Sequence, residues 1–162
     1  MVEKQINAKI LFCSLDELSE AEKKLVLKAK EATVNSYAPY SAFRVGAALQ
    51  LENGQVVTGN NQENAAYPSG LCAERVTLFY ANANWPDTPV ITLAIAARGQ
   101  SGFLKFPISP CGSCRQVLLE SERRQKRPIR ILLYGEEGIT IISSVRDLLP
   151  LSFDETYLSS ID

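Results

Sequence analysis

The sequence predicts an α/β fold, specifically a three-layer α-β-α sandwich with a mixed sheet of five strands. The first indication is Asn53-Gly54, a strong hairpin signal between two apolar segments. The second is the rest of the chain, where segments typical of strands alternate with segments typical of helices. A hairpin followed by strands that are separated by helices favours a mixed sheet with helices packed on its faces.

The individual elements are predicted in chain order from local signals. Residues 1–18 are expected to be an N-terminal extension, in which residues 8–12 can form a short strand outside the five. Ser19 with Glu22 fits a capping box and begins a helix that continues to about Val34. The five strands are expected at 43–49, 55–59, 89–97, 128–134 and 139–142. Further helices are expected from Ser69-Gly70 through Phe79, from Ser109-Pro110 to about Arg123, and over the short segment 144–149.

Composition and charge limit the possible partners. The chain has no internal repeat, low-complexity tract or linker, so we expect one domain over residues 1–162. Lys and Arg total 17, Asp and Glu total 18, and the formal net charge is -1. This balance disfavours a nucleic-acid partner, because binding along a nucleic-acid backbone needs a clustered positive face. No apolar run approaches the roughly 20 residues of a membrane helix. The N-terminus also lacks signal-peptide features, so a cytoplasmic location without a membrane partner is expected.

Three of the four cysteines lie in two short segments, Cys72-Ala73-Glu74 and Pro110-Cys111-Gly112-Ser113-Cys114. Each segment is expected to begin a helix, and the last two cysteines, three residues apart, would share one helix face. Positive helix N-termini favour thiolates, and three converging thiolates can bind Zn²⁺ with a fourth position open. The chain has no histidine, so any metal site must use sulfur or oxygen. The prediction is one Zn²⁺ per chain, bound by Cys72, Cys111 and Cys114.

Two neighbours of Cys72 have predicted roles at this site. Glu74 would lie beside the open coordination position, where a carboxylate can take up a proton and pass it on. Arg75 is a candidate hydrogen-bond donor to a ligand sulfur, which would offset part of the negative charge of the thiolates. Two other interpretations remain open: the C-x-x-C segment could be redox-active, or a structural zinc site could use Cys13 as its fourth ligand. Otherwise Cys13 is a small buried apolar residue.

These segments resemble those of the zinc-dependent cytidine and deoxycytidine deaminases, whose signature joins x-E to P-C-x-x-C and allows three cysteine ligands. Residues 37–49, 61–67 and 148–153 resemble three further blocks of that family, in the same order. The resemblance spans about residues 20 to 155 and implies the fold and homotetrameric assembly of the family's short members. It implies hydrolysis of cytidine and deoxycytidine to uridine and deoxyuridine plus ammonia, in pyrimidine salvage, by zinc-activated water with Glu74 as proton shuttle.

The resemblance also implies which residues bind the substrate. Asn61 and Glu63 would hydrogen-bond the ribose, Phe43 would pack on the nucleoside, and the backbone around Ala73 would meet the pyrimidine edge. Without the resemblance, core packing is the default role for Phe43 and a turn the default for Asn61. A carboxylate at Glu63 would repel a phosphate that came close, so a free nucleoside is expected rather than a nucleotide.

Two aromatic residues, Tyr67 and Phe153, resemble residues that help to close the pocket, partly across subunit boundaries. A homotetramer with shared active sites is therefore expected, although core packing is the default role for Phe153 without the resemblance. A related deaminase of a cytosine-type nucleoside antibiotic is the alternative enzyme, and deamination of nucleic acid is disfavoured by charge. The chain departs from the family in its N-terminal extension, in a segment at 99–106 that is longer than usual, and in Ser113, where alanine is frequent.

Overall fold

A mixed sheet forms the centre of the computed structural model, which describes residues 1–158. Within that range its seven strands are β1 (Ile10–Cys13), β2 (Arg44–Leu51), β3 (Val56–Asn60), β4 (Val90–Gly99), β5 (Gly102–Phe103), β6 (Arg130–Gly135) and β7 (Gly138–Ile142). The strands lie in the order β1-β7-β6-β4-β2-β3, and β5 pairs with β4. Only β4 and β6 are parallel among these pairs, so the predicted mixed sheet is confirmed.

The predicted count of five strands is wrong, because two more strands join the five. Strand β1 comes from the predicted extension and pairs antiparallel with β7, from Ile10 opposite Ile142 to Cys13 opposite Ile139. Strand β5 has two residues and folds back on the end of β4. Its Phe103 ring packs edge-on against Tyr134, with ring centroids 5.6 Å apart. A two-residue strand has no periodicity that a sequence pattern could reveal.

Helices cover both faces of the sheet. They are α1 (Glu20–Ala32), α2 (Ala73–Asn84) and α3 (Gly112–Arg124). The Ser19–Glu22 capping box at the start of α1 is present as predicted, with the Ser19 hydroxyl 2.7 Å from the Glu22 carboxylate. The predicted helix at 144–149 is a single 3-10 turn, Val145–Leu148. None of the helices within residues 1–158 combines the length and the apolar composition that a membrane span requires.

Successive residues of the strands contribute alternately to two hydrophobic cores, one on each face of the sheet. Ala48, Ala94 and Leu132 face α1, whereas their neighbours in sequence contribute to the core beneath α2 and α3. This period of two is what a sheet buried on both faces requires. The α1 side is closely packed: a Cβ atom at Gly46 would lie 2.1 Å from the carbonyl oxygen of Ala29. The sheet therefore holds the N-termini of α2 and α3 on one face, opposite α1.

Candidate active site

Two cysteines occupy equivalent positions, each as the N-cap residue of a helix. Cys72 precedes α2 with φ -71° and ψ 153°, and Cys111 precedes α3 with φ -66° and ψ 166°. Both helices therefore begin later than predicted. The reason at α3 is Arg115, whose guanidinium donates to the Pro110 carbonyl (2.9 Å) and the Ser109 hydroxyl (3.1 Å) and so holds these residues outside the helix.

The three predicted metal ligands converge. The sulfur atoms of Cys72, Cys111 and Cys114 all lie within 4.8 Å of one another, and those of Cys72 and Cys111 are 3.7 Å apart. Two sulfurs bound to one tetrahedral zinc ion at about 2.3 Å would be about 3.8 Å apart, so the donor set fits zinc. Cys13 lies in β1 at the sheet edge and is not part of this group, which argues against its role as a fourth ligand.

Charge around the sulfurs favours thiolate formation at Cys72. A hydrogen bond from the Cys114 thiol and the nearby Arg75 guanidinium together lower the pKa of Cys72 to about 5. The same hydrogen bond, together with burial, raises the pKa of Cys114. Nη2 of Arg75 lies 4.0 Å from the Cys72 sulfur. A metal cation bound between these sulfurs would displace the shared proton, because only thiolates are metal ligands.

Glu74, in the first turn of α2, is the buried carboxyl group of this site. It is only 5% exposed, and burial raises its pKa above the ordinary value, with the Cys72 thiolate adding to the shift. A carboxyl in this environment holds its proton at a higher pH than an exposed glutamate does. The structure thus places a buried carboxyl group beside the sulfur cluster, where it interacts with both Cys72 and Cys114.

A cavity of about 300 Å³ opens next to Cys72. Its lining consists of Asn61, Gln62, Glu63, Asn64, Tyr67, Gly70, Leu71, Cys72 and Arg75. The predicted sugar-binding residues and one predicted metal ligand therefore share one wall. A larger cavity of about 470 Å³ lies at the other end of α3, where Arg123 and Arg146 line it, and it contains none of the three cysteines.

The polar residues of the cavity wall are already hydrogen-bonded to the chain. The Asn61 amide oxygen accepts from the Val45 backbone N–H at 2.8 Å, and its nitrogen donates to the Phe43 carbonyl at 2.9 Å. The Glu63 carboxylate accepts from the Tyr40 backbone N–H at 2.9 Å and from the Ser41 hydroxyl. The Ser41 hydrogen bond is the main reason why the pKa of Glu63 is lowered. One amide hydrogen of Asn61 and acceptor capacity on Glu63 are left for a ligand.

The other predicted substrate-binding residues are dispersed. Ala73 is fully buried at the start of α2 and belongs to the core. Tyr67 is 77% exposed at the cavity rim and packs edge-on against Tyr40, with centroids 6.4 Å apart. Phe153 lies outside the cavity lining, stacked on Tyr157, and its carbonyl oxygen accepts from Gln116 at 2.9 Å. Within one chain, Phe153 is therefore not brought to the cavity.

Two residues with structural roles at the site had no role assigned from the sequence. Ser41 contacts Glu63, and Arg115 ties the Ser109-Pro110 segment to α3 and also donates to the Leu148 carbonyl at 3.0 Å. Both belong to segments that carry the family resemblance. Their position beside Tyr40 and Cys114 was the available signal, but sequence spacing did not show what they contact.

Comparisons with known proteins agree with this geometry. Residues 19–127 match the family model described as "Cytidine and deoxycytidylate deaminase zinc-binding region", a range that includes all three clustered cysteines and Glu74. The chain is 43% identical over 129 residues to the cytidine deaminase of Halalkalibacterium halodurans, covering 80% of this chain and 91% of that one. It is 37% identical over 136 residues to the cytidine deaminase of Sporosarcina psychrophila, covering 84% and 93%.

Solved structures give the same result. The crystal structure of cytidine deaminase from Burkholderia pseudomallei superposes with a TM-score of 0.69 at 39% identity, covering 80% of this chain and 97% of that one. The structure of cytidine deaminase from Mycobacterium tuberculosis superposes with a TM-score of 0.65 at 33% identity, covering 82% and 97%. The similarity therefore extends over most of the α/β fold, and not only over the cysteine segments.

Proposed function

Since the chain belongs to the family of zinc-binding cytidine and deoxycytidylate deaminases, we propose that it hydrolyses cytidine and 2′-deoxycytidine to uridine and deoxyuridine with release of ammonia. The observation that carries the proposal is the convergence of three cysteine sulfurs beside the buried Glu74. Three sulfur ligands leave one position of a tetrahedral zinc ion open, which is the arrangement of a catalytic site and not of a structural one.

The metal has a defined place and a defined contribution. Cys72, Cys111 and Cys114 would hold one Zn²⁺ per chain, and the positive ends of α2 and α3 would offset part of the negative charge of the thiolates. When bound, zinc supplies a water molecule whose pKa is low enough for it to act as a nucleophile near neutral pH. Arg75, close to the Cys72 sulfur, supplies further positive charge.

Glu74 would carry the protons of the reaction. It takes one proton from the attacking water and gives it to N3 of the cytosine ring as the new C–O bond forms at C4. It then transfers the remaining hydroxyl proton to the amino group, so that the C4–N bond breaks and ammonia leaves. Burial supports this role, because a raised pKa lets a carboxyl group act as both base and acid.

Asn61 and Glu63 would bind the sugar of the substrate. Both lie in the wall of the cavity that reaches Cys72, and both keep hydrogen-bonding capacity after their contacts with the chain. A carboxylate accepts hydrogen bonds from hydroxyl groups and repels phosphate. The only cationic side chain of the lining is Arg75, which is directed to the sulfur cluster. A free nucleoside therefore fits this cavity better than a nucleotide.

The closed form of the pocket would involve neighbouring subunits of a homotetramer. Phe153 is 60% exposed and lies outside its own chain's cavity, while Tyr67 is exposed at the rim. Phe43 and Ala73, neither of which lines the cavity in the isolated chain, would complete the binding surface through a ring contact and backbone contacts. Phe153 reaching the cavity of a second copy would account for its exposure. A role in pyrimidine salvage, and the cytoplasmic location predicted from the sequence, go with this function.

The test is an activity and metal assay on the purified chain. We expect about one zinc per chain and a fall in ultraviolet absorbance when cytidine or 2′-deoxycytidine is added. Cytidine 5′-monophosphate, added under the same conditions, should not be consumed. A chain that holds stoichiometric zinc and leaves both nucleosides unchanged would refute the proposed function, and consumption of the monophosphate alone would replace the nucleoside by the nucleotide as substrate.

A further inference from the structure

The loop that precedes β2 is attached to the cavity wall by a series of hydrogen bonds. The Tyr37 backbone N–H donates to the Asn61 carbonyl at 3.1 Å, and the Glu63 backbone N–H donates to the Tyr37 carbonyl at 2.8 Å. Asn61 continues the series through its side chain, which reaches Phe43 and Val45. Residues 37–45 and 61–63 therefore form one hydrogen-bonded unit at the edge of the cavity.

Ser41 lies at the centre of this unit. Its hydroxyl group donates to one oxygen of the Glu63 carboxylate and accepts from the Phe43 backbone N–H at 3.0 Å. The other carboxylate oxygen accepts from the backbone N–H groups of Tyr40 (2.9 Å) and Ser41 (3.3 Å). A single hydroxyl group thus connects two residues with proposed roles in substrate binding, one through its side chain and the other through its backbone.

The backbone between these contacts is strained. Ala42 has φ 55°, in the left-handed region that is rare for residues other than glycine and costs on the order of 1 kcal/mol. Its N–H donates to the Ala38 carbonyl at 3.1 Å. A strained residue persists only where its surroundings hold it, and strain of this kind is concentrated at functional sites. The Ser41 hydrogen bonds on either side of Ala42 supply that restraint.

We propose that Ser41 is a positioning residue for nucleoside binding, which holds the Glu63 carboxylate in the orientation that accepts a sugar hydroxyl. The inference rests on the proposed function, because it concerns the substrate-binding part of the same site. Ser41 is exposed, so its hydroxyl is not needed to satisfy a buried polar group. Without it, the two backbone N–H contacts remain, but the Glu63 oxygen nearest Ser41 loses its partner and the carboxylate can rotate.

The expected signature of this role is a change in KM at constant kcat. Ser41→Ala should raise the KM for cytidine about tenfold, since a rotated Glu63 carboxylate loses most of its charge-assisted hydrogen bond to the sugar hydroxyl. Turnover at saturation should stay within about twofold, because Glu74 and the cysteines are untouched. Ser41→Thr keeps the hydroxyl group at an exposed position and should restore most of the affinity.

The chain offers a matched control. Ser14 and Glu17 form the same pair outside the site, with the Ser14 hydroxyl 2.9 Å from the Glu17 carboxylate, also on the surface. Ser14→Ala should leave KM and kcat unchanged. Thermal unfolding and zinc content, measured on all the variants, show whether Ser41→Ala is folded and metallated like the wild type.

A double variant separates positioning from a general structural effect. If Ser41 acts through Glu63, then Ser41→Ala combined with Glu63→Ala should bind cytidine no more weakly than Glu63→Ala alone. The inference is overturned if the KM of the double variant rises by the product of the two single-variant increases. It is also overturned if the KM of Ser41→Ala stays within about twofold of the wild-type value. If the wild-type chain does not deaminate cytidine, the proposed function fails and the inference fails with it. An active wild type with an unaffected Ser41→Ala variant refutes the inference alone.

Discussion

Two carboxylates, Glu74 and Glu63, belong to the same site, and their surroundings move their pKa values in opposite directions. Glu74 is buried at the N-terminus of α2, where loss of hydration raises its pKa. Glu63 lies in the cavity wall, where hydrogen bonds, first among them that of the Ser41 hydroxyl, lower its pKa. Glu74 is therefore suited to exchange protons, whereas Glu63 stays charged and can only accept hydrogen bonds.

The two carboxylates are held by two different kinds of scaffold. The region of Glu74 and the cysteines is built on helix N-termini, which are fixed by the sheet beneath them. The region of Glu63 is built on loops that hold one another by hydrogen bonds. Substitutions in the first region should therefore change metal binding and turnover, and substitutions in the second should change affinity for substrate.

The largest effect is expected from Cys114→Ser, in the helix region. A serine hydroxyl does not ionise near neutral pH, so one of three thiolate ligands is lost. Zinc content after dialysis should fall to less than about a tenth of one ion per chain, with turnover falling in proportion. Cys13→Ser is the matched control, since Cys13 lies in β1, and it should keep both zinc and activity. Full zinc content in Cys114→Ser would contradict the assigned ligand set.

Glu74→Gln should have the next largest effect, because it removes the proton carrier and leaves the ligands in place. We expect retained zinc and a fall in kcat of roughly a thousandfold, the usual contribution of a general acid–base group. The comparison is with Glu120→Gln, an exposed glutamate of α3, which should behave as wild type. Steady-state kinetics with cytidine measure both, and a Glu74→Gln variant with wild-type kcat would exclude the proton-transfer role.

Glu63→Gln tests the loop region and should act on KM. Replacing the charged acceptor by an amide should raise the KM for cytidine roughly 10- to 50-fold with a much smaller change in kcat. Because the pKa of Glu63 is lowered from 4.5, its carboxylate should remain charged as the pH falls from 7 to 5. Wild-type KM should therefore not rise over that interval through titration of this group. A variant with reduced kcat and unchanged KM would place Glu63 in the chemical step.

The smallest expected effect concerns stability of the metal-free protein. The folded-state pKa of Glu74 is raised above 4.5, so its stabilising contribution is complete below that pH and is lost as the pH rises through the raised value. Glu74→Gln removes the titrating carboxyl group, and with it this loss of stability at higher pH. The difference in Tm between metal-free variant and wild type should be larger at pH 8 than at pH 4, by roughly 3 °C for each 1 kcal/mol. A difference that does not depend on pH would show that burial of this carboxyl costs nothing.

The region of Glu74 and the cysteines was more predictable from the sequence than the region of Glu63. Cys111 and Cys114 are three residues apart, so local spacing predicts that their sulfurs lie on one helix face. The position of Cys72 at a second helix start supported the hypothesis that it joins them, and the fold brings the three sulfurs together. The five main strands followed from apolar segments and the Asn53-Gly54 turn. The starts of α2 and α3 were predicted too early, whereas the start of α1 was correct. At α3 the Arg115 side chain bonds to Ser109 and Pro110, a contact that helix propensity does not report.

The roles of residues in the region of Glu63 could be predicted only through the family resemblance. Ser41 and Glu63 are 22 residues apart, and neither periodicity nor turn chemistry indicates that they touch. Asn61 was expected to face the ribose, yet its side chain also makes two hydrogen bonds to the backbone of Phe43 and Val45, at the start of β2. Contacts of this kind depend on the assembled fold, which brings together segments that carry no shared pattern.

The pairing of β1 with β7 determines where the chain can be shortened or extended. Residues 1–9 are exposed and form no strand, so an affinity tag placed ahead of Ile10 should leave the sheet intact. Trimming past Cys13 would instead uncover the backbone of β7, an apolar edge on which Ile139 and Ile141 would be open to pairing with other molecules. The segment first interpreted as an extension thus covers the backbone edge of β7.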